Sequence, residues 1–316
     1  MSDQNDPQLT STVLMIRPVN FHSNPLAATS NAFMRAMNRT PDEEQALAVQ
    51  EFDGLVDELR RVGVNVIVVD DTVEPKTPDS VFPNNWMSTH ADGTFVLYPM
   101  EVPNRRGERR HDIIKLLQGR GFDVSQVVDL SIHENDEKYL EGTGSLVLDR
   151  MNRIAYACRS ARTDGAVLDD FAERLGYEVV SFDSVDKQGL PIYHTNVMMN
   201  VGDGFAVVCL ESIRSGDERD QVVRSLEMTG HEIIDISQQQ VLAMAGNMLE
   251  IRSVNGEPLL AMSTQARTSL TDEQTARLEA HATIVSAPIK SVEDSAGGSV
   301  RCMLAEIHLP VKDAHK

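Results

Sequence analysis

The chain has 316 residues, 41% of them hydrophobic, enough for a substantial core in one large domain or two ordinary ones. Its 48 acidic side chains outnumber 29 basic ones, and a net charge of −19 repels nucleic acid and anionic membranes. Three scattered cysteines (Cys158, Cys209, Cys302) form no CxxC pair, which argues against a disulfide framework and against a cysteine zinc site.

The polar start, Met1-Ser-Asp-Gln-Asn-Asp-Pro7, lacks the basic residues and apolar run of a signal peptide. No apolar stretch approaches the roughly 20 residues of a membrane span. A reduced, soluble, cytoplasmic protein is expected. Residues 12–19 read as a buried strand. The polar stretch 20–39 reads as a long loop, a class that often supplies lids, and its part 22–39 is the lid candidate. Pro41-Asp-Glu-Glu44 opens a helix with proline and acids in its first turn. That helix stops at Gly63, and 64–70 is a strand.

The same phrase then recurs. Strands over 81–87 and 94–98 flank the turn Ala91-Asp-Gly93, a helix covers 108–118, and a strand lies within 122–130. Next come strands 145–148 and 154–157, helix 165–175 and strand 178–182. The third repetition has strands 195–200 and 205–210 about Gly202-Asp-Gly204, helix 218–228 and strand 232–236. The last has strands 247–251 and 258–262 about Asn255-Gly256, a helix from the capping box Thr271-Asp-Glu-Gln274 to about His281, and strand 283–286. Most of the turns carry the Asp-Gly or Asn-Gly that tight hairpins need.

A period of about 50 residues marks a repeat architecture. Five units are found only if the final strand, Cys302 to His308, lies beside 12–19 and completes the first unit. That closes a ring. A doubly wound sheet would alternate one strand with one helix, whereas here a hairpin precedes each helix. The expected fold is therefore α/β, a five-bladed pseudo-symmetric propeller of ββαβ units. It occupies 12–310 as a single catalytic domain, between a disordered tail, 1–11, and a C-terminal tail, 311–316.

In such a ring, equivalent loops converge at one end. Four carry polar residues: Asp79-Ser-Val-Phe-Pro-Asn-Asn-Trp86, Tyr139-Leu-Glu-Gly-Thr-Gly144, Tyr193-His-Thr-Asn196 and the glycine loop before Cys302. Together they offer a thiol, an imidazole, two carboxylates and three amides, an inventory for nucleophilic attack on an electron-poor planar carbon. Taken singly, each has a bland reading: His194 as a core histidine, Glu141 and Asp79 as turn acids, Asn84 and Asn85 as partners of loop backbone. Their recurrence at like points of the repeat favours a shared site.

Here the chain resembles the guanidino-group modifying enzymes: arginine deiminases, dimethylarginine dimethylaminohydrolases, arginine and succinylarginine dihydrolases, and amidinotransferases. The resemblance covers about 12–310 and implies their five-bladed fold, the pentein. Arg301-Cys302-Met303 after a glycine loop is similar to the deiminase nucleophile motif, and Asp79-Ser-Val-Phe to a substrate loop. Pro103-Asn-Arg105-Arg-x-Glu108 resembles Pro-Ser-Arg-Arg-x-Glu, which implies that Arg105 binds the substrate carboxylate. Ser160-Ala-Arg162-Thr resembles a second carboxylate-binding arginine, and Glu141 and His194 fall at the acid and the catalytic histidine.

Two departures stand out. Deiminases carry a carboxylate where this chain has Asn85, and another where it has Asn196. A guanidinium presents N–H donors on every edge and suits carboxylates. A ureido group presents a carbonyl oxygen and needs a donor, which an amide supplies. Two amides therefore point to citrulline, with Asn20 as a further amide facing the ligand. The implied scheme has Cys302 attacking as thiolate, its pKa lowered by a cationic substrate or by His194, with His194 moving protons, Glu141 orienting the terminal nitrogen and Asp79 taking an amino group. It requires no metal or organic cofactor. An arginine deiminase or dihydrolase, a dimethylarginine hydrolase, an amidinotransferase and a non-catalytic binding protein on the same fold are the alternatives. A homodimer is left open.

Overall fold

The computed structural model describes residues 6–35 and 37–312. Helix Pro41–Arg61 shows how local chemistry can start a helix. Thr40 accepts from the Glu43 N–H, Glu43 reaches back to the Thr40 N–H, and proline stands at the first position. Ala48, Phe52, Leu55, Val56 and Leu59 bury one face. The chain leaves through Gly63 at φ +85°. Thr271 and Gln274 build the expected capping box of helix Asp272–Glu279 in the same way.

Among the described residues, fifteen strands make five three-stranded sheets. β1 (Thr12–Arg17) lies between β15 (Ala305–Glu306) and β2 (Asn65–Asp70). The second sheet holds β3 (Met87–Thr89), β4 (Thr94–Leu97) and β5 (Gln126–Asp129). The third holds β6 (Val147–Asp149), β7 (Ile154–Cys158) and β8 (Glu178–Phe182). The fourth holds β9 (Met199–Val201), β10 (Phe205–Val208) and β11 (Glu232–Asp235). The fifth holds β12 (Leu249–Arg252), β13 (Pro258–Ser263) and β14 (Thr283–Ala287). In every sheet the middle strand pairs antiparallel with one neighbour and parallel with the other. The parallel pairing uses the helical crossover.

The expected closure is present: Val13 pairs with Glu306 and Leu14 with Ala305, so the last strand completes the first sheet. The short first strands face the axis, where β15 meets β3, β6 meets β9, and β9 meets β12. Apolar clusters fill the spaces between sheets and helices, the largest around β9, β10 and helix Gly216–Met228.

Three expectations are corrected. First, four inner strands are shorter than the sequence suggested, because each is entered through one turn of helix: Pro83–Asn85, Gly142–Ser145, Thr195–Met198 and Val300–Met303. Those turns are fully buried against one another, and buried runs of this length read as strand. Second, the helix expected over 108–118 begins at Asp112, and Pro103–Glu108 forms a separate 3₁₀ turn. Third, part of the supposed N-terminal tail is built in: Asp6, Gln8 and Thr10 are buried. The Gln8 amide donates to the carbonyls of Leu148 and Val201 and accepts from the Arg150 N–H, joining adjacent blades. Residues 1–5 of that tail and 313–316 of the C-terminal one lie outside the described residues, while Val311 forms a bridge with Phe122. No helix of the described residues is long and apolar enough to cross a membrane.

Candidate active site

The turns that enter the inner strands gather at one end of the ring, and their polar side chains meet there. Cys302 sits on the turn Val300–Met303 and is 1% exposed. Its Sγ lies 3.2 Å from Asn247 Nδ2 and 3.5 Å from Asn196 Nδ2. Burial pushes the Cys302 thiol up, against the opposing pull of its hydrogen bonds and of Arg301.

His194 precedes the turn Thr195–Met198, and its Nε2 lies 2.9 Å from Glu141 Oε2. Burial carries the imidazole down to about 4, although Glu141 pulls the other way. His194 is thus neutral at neutral pH. With Nε2–H donating to Glu141, Nδ1 keeps its lone pair. Burial alone would raise the Glu141 carboxyl, but Arg162, the His194 bond and Arg105 outweigh it and hold the acid well below its ordinary range. The imidazole approaches the Gly142–Ser145 turn so closely that a Cβ on Gly144 would lie 2.7 Å from the His194 ring and 2.6 Å from the Asn85 amide. Glycine at 144 makes that approach sterically possible.

Arg105 is held in a two-pronged pair by Glu108, with both N···O distances 2.9 Å, and donates to Asn85 Oδ1 at 3.0 Å. Asp79 and Glu141 lie 3.7 and 3.6 Å from the same guanidinium. Burial lifts the Glu108 carboxyl to about 7, against the pull of Arg105. Arg162 lies over the Tyr193 ring, pairs with Glu141 at 3.3 Å, and donates to Ser30 Oγ and the Ala27 carbonyl. Asn24 donates to Asp79 Oδ2 at 2.7 Å, while Asp79 Oδ1 is buried without a partner.

Asp79, Asn85, Arg105, Arg162, His194 and Cys302 line one cavity. It has room for about one water molecule, far less than an amino acid requires. Ala27 and Asn31 form part of its wall, and Asn24, Ser30 and Asn31 fasten this stretch through Asp79, Arg162 and the Ala296 carbonyl. The 24–31 stretch thus forms one wall of the cavity and is tied to its polar residues.

Most of the sequence-derived residues are therefore brought together, with Glu141 behind His194. Three are placed differently. Asn196 touches Cys302 Sγ but lines a separate axial cavity with Arg150, Arg301 and Glu306. Asn84 Oδ1 accepts from Asn85 at 3.0 Å, and Asn84 does not line the cavity. Asn20 donates to the Thr72 and Val73 carbonyls and is remote from the cavity, so its expected role toward the ligand is corrected to anchoring the loop. Sequence reasoning missed Asn24, Ser30 and Asn247. Asn247 occupies the fifth equivalent loop of the ring, where the repeat itself was the available signal.

The family model described as N,N dimethylarginine dimethylhydrolase, eukaryotic, matches residues 17–309. Among solved structures, apo ArgZ, an arginine dihydrolase from the ornithine–ammonia cycle in cyanobacteria, is similar with a TM-score of 0.72 at 18% identity, covering 95% of this chain and 41% of that one. The N-terminal domain of ArgZ bound to product gives 0.71 at 20% identity, covering 95% and 99%. A dimethylarginine dimethylaminohydrolase in adduct with S-methyl-L-thiocitrulline gives 0.62 at 15% identity, covering 94% and 99%. The chain thus spans about two fifths of the full-length ArgZ chain. At these identities the likeness speaks for the five-bladed pentein fold. Among curated proteins, none matches the sequence.

Proposed function

The chain belongs to the family described as N,N dimethylarginine dimethylhydrolase, eukaryotic, hydrolases of guanidino C–N bonds, and on that premise we propose that it acts through Cys302 on the ureido group of citrulline. The observation that carries the substrate choice is the set of side-chain groups bonded to Cys302 Sγ, which are the amides of Asn196 and Asn247. Attack on a ureido carbon places negative charge on its oxygen beside the sulfur. The Asn196 amide can turn its second N–H to that oxygen, and a carboxylate there would oppose the charge.

In this reading, Arg105 and Arg162 take the α-carboxylate once the 24–31 stretch releases Arg162. The unpartnered oxygen of Asp79 accepts from an amino group of the substrate. Neutral His194 takes the thiol proton on Nδ1, with the resulting imidazolium stabilised by Glu141. Sulfur bonds to the ureido carbon, and the carbonyl electrons move to oxygen. His194 returns the proton to the terminal nitrogen, the C–N bond breaks and ammonia leaves. Water, deprotonated by His194, then displaces sulfur, and the carbamate so formed loses carbon dioxide to give ornithine. A free nucleophilic thiol suits a reducing compartment such as the cytoplasm.

A second reading, hydrolysis of arginine, is favoured by the carboxylates of Asp79 and Glu141 near the cavity. It is also favoured by the similarity to ArgZ, whose substrate-bound structure is that of an arginine dihydrolase. Two hydrolytic steps on arginine would pass through the same ureido group. Incubation with L-citrulline, beside the Cys302→Ala variant, tests the proposal. Ornithine and ammonia in equal amounts from the wild type alone are expected. Turnover of arginine with none of citrulline would overturn the ureido assignment, and an active Cys302→Ala protein would overturn the nucleophile.

A further inference from the structure

We propose that Asn247 is a catalytic residue whose amide stabilises the thiolate that forms on Cys302, with the donor orientation locked by a second bond to the backbone. This deepens the reading above and rests on Cys302 as the nucleophile. The Asn247 Nδ2 lies 2.9 Å from the Asn196 carbonyl oxygen and 3.2 Å from Cys302 Sγ. A carbonyl oxygen can only accept, so the atom facing it is the NH₂ group and not the amide oxygen. One N–H of Asn247 serves that carbonyl and the other points at sulfur. A donor so fixed favours the better acceptor, and the anionic thiolate accepts far more strongly than the thiol. Asn196 differs, because its Nδ2 lies 3.5 Å and its Oδ1 3.9 Å from Sγ, and it serves the thiol as well as the thiolate.

The loop carrying Asn247 is built for this placement. Met244 stands at φ +64°, a conformation that side chains other than glycine rarely adopt. A Cβ on Gly246 would lie 2.3 Å from the Val197 carbonyl oxygen, so the loop packs backbone to backbone on the turn that carries Asn196. Asn247 itself is fully buried, and its Oδ1 has no partner among the described residues. Leaving a buried amide oxygen unpaired is costly, which a purely structural asparagine would avoid.

The other charged or titratable groups around Cys302 approach from different sides. His194, Tyr193 and Asp79 line the cavity with Arg105 and Arg162. Arg301, next in the chain, is tied to Glu306 and to the Leu304 carbonyl. Burial opposes ionisation of the thiol, and the Asn247 bond is one of the few contacts that counter it.

The test reads the thiol without substrate, so it stands or falls independently of the citrulline assay. The pH dependence of Cys302 alkylation by iodoacetamide, with thiolate absorbance near 240 nm, is measured for wild type, Asn247→Ala and Asn247→Asp, with circular dichroism and thermal melts as controls. Loss of one hydrogen bond to a charged group is expected to raise the midpoint of Asn247→Ala by about one pH unit, so that labelling at neutral pH falls about tenfold. The Asp variant, similar in shape, replaces a donor by a negative charge, and its midpoint rises further. It also supplies the measurement where the cavity left by alanine prevents folding. A folded variant with a lowered Tm and an unchanged midpoint would reduce Asn247 to a packing role and overturn the proposal.

Discussion

His194 and Glu141 make the centre sensitive to acid through the fold as well as through the chemistry. The unfolded chain binds a proton on histidine near the ordinary value of 6.5, whereas the folded protein does so only at about 4. Between those values the unfolded state holds more protons, so stability is present above 6.5 and is lost as pH falls toward 4. A shift of that size corresponds to roughly 3 kcal/mol at full extent. Glu141, held below its ordinary carboxylate range, extends the loss at lower pH in the same direction. Thermal melts from pH 7 to 4.5 should show a steep fall in Tm for the wild type and a shallower one for His194→Gln, which has no imidazole to charge. Equal slopes would mean that His194 titrates in the fold as it does in water.

At the scale of the element, the site is carried by single helical turns. The sequence made much of this legible: residue identity, spacing and repeat placed Cys302, His194, Glu141, Asp79 and Asn85 at one end of the ring, and the family resemblance added Arg105 and Arg162. It misread the backbone that holds them. Buried runs such as Thr195-Asn-Val-Met198 satisfy the pattern of a core strand, and only tertiary contact between turns shows that they curl first. It also missed partners defined by approach in space. Ser30 meets Arg162 across 132 positions of chain and Asn24 meets Asp79 across 55, and no local pattern announces either. The amide assigned to Asn20 shows the reverse error, because its loop position suggested a ligand contact while its bonds go to backbone carbonyls. Glycine 144 tests the turn as a unit. Adding one methyl group there must move the His194 ring or the Asn85 amide, since both lie under 3 Å from the new carbon. Gly144→Ala is expected to lower kcat/KM at least a hundredfold, in keeping with misplacement of a proton-transfer group. Its Tm should fall by only a few degrees. Steady-state kinetics beside a thermal melt separates the two effects, and full activity in the variant would show that the close packing there is dispensable.

At the scale of the whole molecule, closure of the ring brings together segments far apart in the chain. β15 pairs with β1, so residues near the C-terminus complete the sheet begun near the N-terminus and bring Cys302 back to loops read some 100 to 220 positions earlier. Ahead of β1, residues 6–11 of the segment expected as a tail include buried side chains bonded to neighbouring blades. Asp6 lies 3.3 Å from Arg150 and 3.4 Å from His90, and its Oδ1 accepts from the Ala91 N–H at 2.9 Å. Burial would raise its carboxyl, but the His90 bond and Arg150 hold it well below the ordinary range. The polar composition of the first residues gave no sign of this, because the arginine that needs a counter-charge stands 144 positions away. Arg150 has a second carboxylate in Glu306 at 3.6 Å, so one anion from each end of the chain converges on it. Removing the first leaves a buried guanidinium only half compensated. Asp6→Ala is therefore expected to cost about 3 kcal/mol, since breaking a buried pair from one side strands the other charge. For a protein of this size that amounts to a fall of about 4 to 5 °C in Tm. Calorimetry of Asp6→Ala beside an exchange at an exposed site such as Asp42→Ala decides it, because a loss no larger than that of the surface control would return the segment to the status of a tail.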